Sequence, residues 1–174
     1  MINRRHIRAK VMQVLYSQRN NAFDDKIDNQ LKESMEDMYK LYLLMLSIFI
    51  KLRHREINHQ EKSKKKYLKT NEDISPSMRF VNNFVLSKLD EDKVLKSEFE
   101  NHKITYWDQD AEYIELIYKD LTSSKLYKEF LMSSKKSIND DIDFVIKMFK
   151  TIIVPNTKLY DYFLDKKITW VDDF

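Results

Sequence analysis

Residues 26–57 read KIDNQLKESMEDMYKLYLLMLSIFIKLRHREI. Ile27, Leu31, Met35, Met38, Tyr42, Met45, Phe49 and Leu52 recur every three or four positions, the spacing that puts side chains on one line of an α-helix. Leu41, Leu44 and Ile48 widen that line, so the middle of the predicted helix is buried on most sides. A helix of this length sets the class of the whole chain, and composition agrees. The 174 residues include no glycine and two prolines, where an average chain has about 7% glycine. Two-residue hairpin turns need backbone with positive φ, which glycine supplies most readily. The expectation is an all-α, multi-helix bundle.

The same absences exclude chemistry. Phosphate-cradling Walker A loops, dinucleotide-binding glycine fingerprints and nucleophile elbows all need glycine for close backbone approach. Without cysteine there is no disulfide, thiol nucleophile or thiolate zinc site, which fits a cytoplasmic protein. The longest apolar stretch, Leu41 to Ile50, is ten residues, too short to span a bilayer. His54 and His59 stand five apart beside Glu56 and Glu61, a spacing that does not bring two imidazoles to one helix face. No metal, no cofactor and no catalytic residue is expected.

Charge is segregated along the chain. Residues 1–69 hold 16 Lys/Arg and 8 Asp/Glu, a net +8, and residues 70–174 hold 15 and 20, a net −5. This divides the chain into a basic region, 1–90, and an acidic, aromatic region, 91–174, packed on the first. The basic end opens with Arg4, Arg5, Arg8 and Lys10, and no acid precedes Asp24. A helix is predicted over residues 4–19, with Ile7, Val11, Val14 and Leu15 as its stripe and Arg4 and Arg8 on the line of Val11 and Leu15. Cations in a first helical turn oppose the helix dipole. Free N–H groups with arginines beside them suit an anion such as phosphate. A solvated basic helix end and an Arg-rich organellar presequence are the other readings of these residues.

Arg4-Arg5-x-x-Arg8 followed by Gln13-x-Leu15-Tyr16 resembles the opening helix of the NusB transcription antitermination family. Ile7 stands where alanine is usual and Ala9 where an acid is common. The blocks Arg79-Phe80-Val81-Asn82-Asn83, Lys158-Leu159-Tyr160-Asp161-Tyr162 and Thr169-Trp170-Val171-Asp172-Asp173 resemble the first half of the family's longer form, which implies that a second half follows. The resemblance implies a bacterial, cytoplasmic, non-enzymatic protein that binds boxA-type single-stranded RNA in ribosomal RNA leaders. Its implied partners are the ribosomal protein NusE and the RNA polymerase antitermination complex. Arg4, Arg5, Arg8 and Lys10 would hold the RNA, with Tyr16 beside them. A second basic run, Lys51, Arg53, His54 and Arg55 followed by Lys62, Lys64, Lys65, Lys66 and Lys69, would add phosphate contacts, its other reading being a solvated helix end and loop. Two other readings stand beside this one. One is the NusB-like RNA-binding domain of a ribosomal RNA methyltransferase, and the other is a helical protein-interaction module that binds no RNA.

Further helices are predicted from cap signals. Ser75-Pro76 opens one carrying Phe80, Val81, Phe84, Val85 and Leu89, and another covers 92–101. Asp108 caps one with Tyr113, Ile114, Ile117 and Leu121. Ser124 opens a short one through 131, Ser137 caps one that ends before Pro155, and Asn156 caps the next. Three internal echoes suggest duplicated helix pairs. Residues 125–131 match 158–164, residues 113–121 match 144–152, and Lys103-Ile-Thr-Tyr-Trp107 matches Lys167-Ile-Thr-Trp170.

Overall fold

A computed structural model describes residues 4–17, 27–65, 78–133, 137–171 and 173–174, and among them there is no strand. The helices are α1 (Arg4–Ser17), α2 (Ile27–Lys65), α3 (Phe84–Glu91), α4 (Lys93–Asn101), α5 (Tyr106–Gln109), α6 (Ala111–Ser123), α7 (Lys125–Met132), α8 (Ile138–Met148), α9 (Thr157–Lys166) and α10 (Ile168–Val171). The chain is all-α, as its periodicity predicts. Among the described residues no helix is long and apolar enough to cross a membrane.

Two compact units form, residues 1–43 with 160–174 and residues 44–159. The sequence regions 1–90 and 91–174 each contribute to both. Helix α2 contributes to both units and continues from residue 57, where the sequence ends it, to Lys65. Its continuation beyond residue 57 carries Gln60 and Ser63, which are buried although polar.

In the smaller unit the core holds Val14, Leu41, Leu43, Tyr162, Phe163 and Trp170. The Trp170 indole N–H donates to the Asp37 carbonyl at 3.1 Å. Phe163 meets Trp170 edge-on at 6.1 Å and lies 4.9 Å from Phe174. The Lys167 ammonium sits 2.5 Å from the Asp37 carboxylate. Tyr42, placed on the apolar stripe by its spacing, is exposed and stacks on Tyr39 at 6.3 Å.

In the larger unit α3 packs on α8, α6 on α7, and α7 on α8. Phe130 stacks on Phe144 at 3.9 Å, and Phe80 stands edge-on to Tyr127 and Phe144. The Arg79 guanidinium covers the Phe130 ring at 4.2 Å. The Trp107 indole donates to Ser47 Oγ at 2.8 Å and approaches the Leu44 carbonyl at 3.4 Å.

Most caps fall where the sequence places them. The side chains of Asp92 and Ser124 accept from the first turns of α4 and α7. Ser137 and Asp140 form a reciprocal capping box on α8, and Asn156 Oδ1 accepts from the Leu159 amide. Two starts differ. Ser75-Pro76 lies outside the described residues, residues 78–82 are turns, and the helix begins at Phe84. Asn83, wholly buried, caps it through Val85 and Leu86, while Asp141 from α8 accepts from the Phe84 amide at 2.8 Å. Asp108 caps nothing. It lies inside α5 and pairs with Lys51, and Asp110 precedes α6.

The end of α4 shows how a chain without glycine closes a helix. Lys103 takes φ 52°. The Ile104 amide donates to the Phe99 carbonyl at 2.8 Å and the Lys103 amide to the Glu100 carbonyl at 3.1 Å. This is the Schellman pairing, whose left-handed position glycine ordinarily fills. A side chain there costs about 1 kcal/mol or more. Lys103→Gly is therefore expected to stabilise the protein by about 0.5–1 kcal/mol after the added flexibility of the unfolded chain is counted. An unchanged or lower urea midpoint would contradict that balance.

The echoed segments share secondary structure. Residues 113–121 lie in α6, and 144–152 run from α8 into a π-helical turn, Phe149–Ile153. Ile114 and Val145, Ile117 and Met148, and Phe130 and Phe163 are buried at matched positions. Tyr127 is buried and its match Tyr160 is exposed, and in the shorter echo Ile104 is buried and its match Ile168 is exposed.

Candidate nucleic-acid interface

Helix α1 begins at Arg4 with no acid in its first turn. Its inward line is Ile7, Lys10 and Val14, with Val11 half-buried beside it. At 100° per residue, Arg5, Met12 and Tyr16 lie on the opposite side, and Arg4, Arg8 and Leu15 lie on one shoulder between the two. Arg4, Arg5, Arg8, Met12, Leu15 and Tyr16 are all exposed, Tyr16 at 74%. Leu15 and the line it shares with Arg4 and Arg8 form the edge of the packed face, whereas their spacing placed them on the stripe itself.

Lys10 departs from its expected role. It is 4% exposed, and its ammonium stands 2.6 Å from Asp173 Oδ2. Position 10 lies three residues after Ile7 and four before Val14, so helix geometry turns it inward. A buried cation needs a counter-charge, which Asp173 provides. Lys10 therefore joins α1 to the C-terminal segment of its own unit and is not available to a phosphate on the surface.

The second basic run also differs from its sequence reading. Lys51 pairs with Asp108, Arg53 with Asp90 and Arg55 with Glu115, while His54 lies 2.9 Å from Asp90 Oδ2. The Glu115 hydrogen bond raises the Arg55 guanidinium above its usual range. These groups meet acids 36 to 60 positions away, so part of the charge segregation along the chain is cancelled by internal pairing. Lys64 and Lys65 close the last turn of α2, their side chains are not among those described, and Lys66 lies outside the described residues.

A buried polar cluster in the larger unit has no counterpart in the sequence reading. Glu56, 6% exposed, accepts from the Tyr118 hydroxyl at 2.5 Å and from Gln60 Nε2 at 2.7 Å. The Arg55 guanidinium lies over the Tyr118 ring at 4.7 Å. Burial, followed by the hydrogen bond to Glu56, pushes the Tyr118 hydroxyl well above the ordinary tyrosine range. Burial and the Glu56 charge do the same for Tyr127. Both phenols therefore stay protonated, and Tyr118 serves Glu56 as a donor. The only sequence signal was the run Glu56, Gln60, Ser63, a polar line at helical spacing that continues from Leu52.

Elsewhere, an open groove of about 460 Å³ borders the π-helical turn, lined by Asp120, Ser124, Thr151, Pro155, Asn156 and Lys158 among others. Its acid is engaged, since Asn156 Nδ2 donates to Asp120 at 3.2 Å. Among the described residues no group of three or more His, Asp or Glu side chains is placed to hold a metal ion. Comparison of the chain with protein-family models, with curated proteins and with solved structures found no match.

Proposed function

We propose that this protein binds single-stranded RNA through the outer face and shoulder of α1, as a NusB-like antitermination factor of the cytoplasm. The observation that carries the reading is that Arg4, Arg5 and Arg8 share one exposed surface of α1 with Tyr16 and Met12. Guanidinium groups pair with phosphate in a planar fork and stack on bases, and an exposed tyrosine offers an aromatic face to an unpaired base. The pairing of Lys51, Arg53 and Arg55 within the fold concentrates the proposed contact on α1. On this reading the RNA is a boxA-type element of ribosomal RNA leaders. NusE and RNA polymerase are the protein partners, and no catalysis is involved.

The test is binding to a boxA-like RNA and to a scrambled control between about 50 and 200 mM salt. Three phosphate contacts on a single strand give log K a slope of about −2 against log salt, a loss of roughly 20-fold over that range. The triple change Arg4→Ala, Arg5→Ala, Arg8→Ala is expected to remove this dependence together with the boxA preference. Lys10→Ala is expected to lower stability and leave the salt slope unchanged. Equal affinity for both RNAs, or a triple variant that binds like the parent, would reject the reading.

A further inference from the structure

Helix α8 carries Ile138, Ile142 and Ile146 at 55%, 37% and 45% exposure. Spaced four apart, they form a line that turns by about 40° per step. Phe144, Val145 and Met148 of the same helix are buried, so the isoleucines are not the packed face of α8 but a second one. Single exposed apolar residues are ordinary, whereas a contiguous line of them marks a contact surface.

The charges beside this line have an order. Asp143 and, one turn on, Lys147 are exposed along the same edge, with Asn139 before them and Lys150 after. With a second α8 running parallel, the two-fold axis lies along the helices and puts the charged edges on opposite sides of the contact, so no reciprocal Asp143–Lys147 pair forms. One running antiparallel, with the two-fold axis midway between Ile142 and Ile146, sets each of those isoleucines against the other. It also brings Asp143 of each copy to Lys147 of the other and lays Ile138 along the aliphatic stem of Lys150. A two-fold axis between antiparallel helices keeps the charged edges on the same side, so both ion pairs form together and the contact closes on itself.

We propose that α8 is a self-association surface, through which two copies of this chain pair by antiparallel packing of the isoleucine line and reciprocal Asp143–Lys147 contacts. Three half-exposed isoleucines per copy fall well short of the roughly 1,000 Å² that stable complexes bury. The dimer is therefore a weak one, formed at high protein concentration.

Sedimentation equilibrium of the full chain from about 1 µM to about 1 mM is expected to show a monomer–dimer equilibrium. Asp143→Lys and Lys147→Asp, each placing like charges across the axis, are expected to weaken self-association about tenfold or more. Mixed in equal amounts they are expected to associate as heterodimers at least as tightly as the parent, because opposite charges meet again. Ile142→Asp is expected to leave only monomer. All three positions are exposed, and circular dichroism reports whether the helices persist. A parent that is monomeric to about 1 mM would overturn the proposal. So would a mixture that associates no better than its components, or dimerisation unaffected by Ile142→Asp.

Discussion

Glu56→Ala is expected to lower the stability of the protein by about 2–4 kcal/mol, through the loss of a buried acceptor and the void left behind. The carboxylate accepts from Tyr118 and Gln60 at 2.5 and 2.7 Å in a site where Glu56 is 6% exposed. Its removal takes the acceptor from the Tyr118 hydroxyl, at about 1–3 kcal/mol for a buried donor left unsatisfied, removes one contact of the Gln60 amide, and opens a void besides. Glu56→Gln keeps one acceptor oxygen and is expected to cost less, about 1–2 kcal/mol, as is Tyr118→Phe. Chemical denaturation of the three variants checks the order. A loss below about 1 kcal/mol for Glu56→Ala would mean that water replaces the carboxylate and that the cluster does not hold α2 to α6.

The second large effect concerns the tryptophans. Trp107→Ala and Trp170→Ala are each expected to cost about 3–5 kcal/mol in the unit that contains the residue. Both indoles are nearly fully buried, at 3% and 2% exposure, and both N–H groups have acceptors on α2. The chain has two tryptophans, one in each compact unit. The variants Trp107→Phe and Trp170→Phe thus leave one fluorescent reporter apiece. Denaturation followed by far-ultraviolet circular dichroism should show each alanine change lowering the transition of the unit that has lost its indole, while emission of the remaining tryptophan follows the other unit. A midpoint within about 1 kcal/mol of the parent would refute the claim that the indole anchors its short helix.

Some features of the fold were legible because they are local. Ser124, Ser137 and Asn156 each cap a helix that begins one residue later. A cap is a contact between a side chain and the amides two or three positions on, so it is written in adjacent residues. Phe84 shows the limit. Its helix start depends on Asn83, which is local, and on Asp141, 57 residues away, and Ser75-Pro76 offered a stronger local signal further upstream. Asp108 has the look of a cap but is drawn to Lys51, a partner that sequence proximity does not reveal.

On the candidate interface, Arg4, Arg5, Arg8 and Tyr16 are exposed, whereas Lys10, read from sequence as an RNA contact, is buried. Periodicity alone already placed position 10 between Ile7 and Val14, but a lysine on an apolar line ordinarily extends its stem and keeps its charge in water. Asp173 removes the need to do so.

The sequence by itself determined the class of fold, the number and order of most helices, and the arginine-rich opening of α1. Each follows from interactions within about four residues, which recur wherever the same residues stand in the same order. Only the tertiary structure decided which charges remain at the surface. Lys10, Lys51, Arg53, Arg55 and Glu56 carry nothing in their local sequence that marks them as paired, and each meets a partner far along the chain, from Arg53 with Asp90 to Lys10 with Asp173. Whether a charge is exposed depends on a neighbour that only chain folding supplies, since burial is tolerated where a counter-charge or donor is already in place.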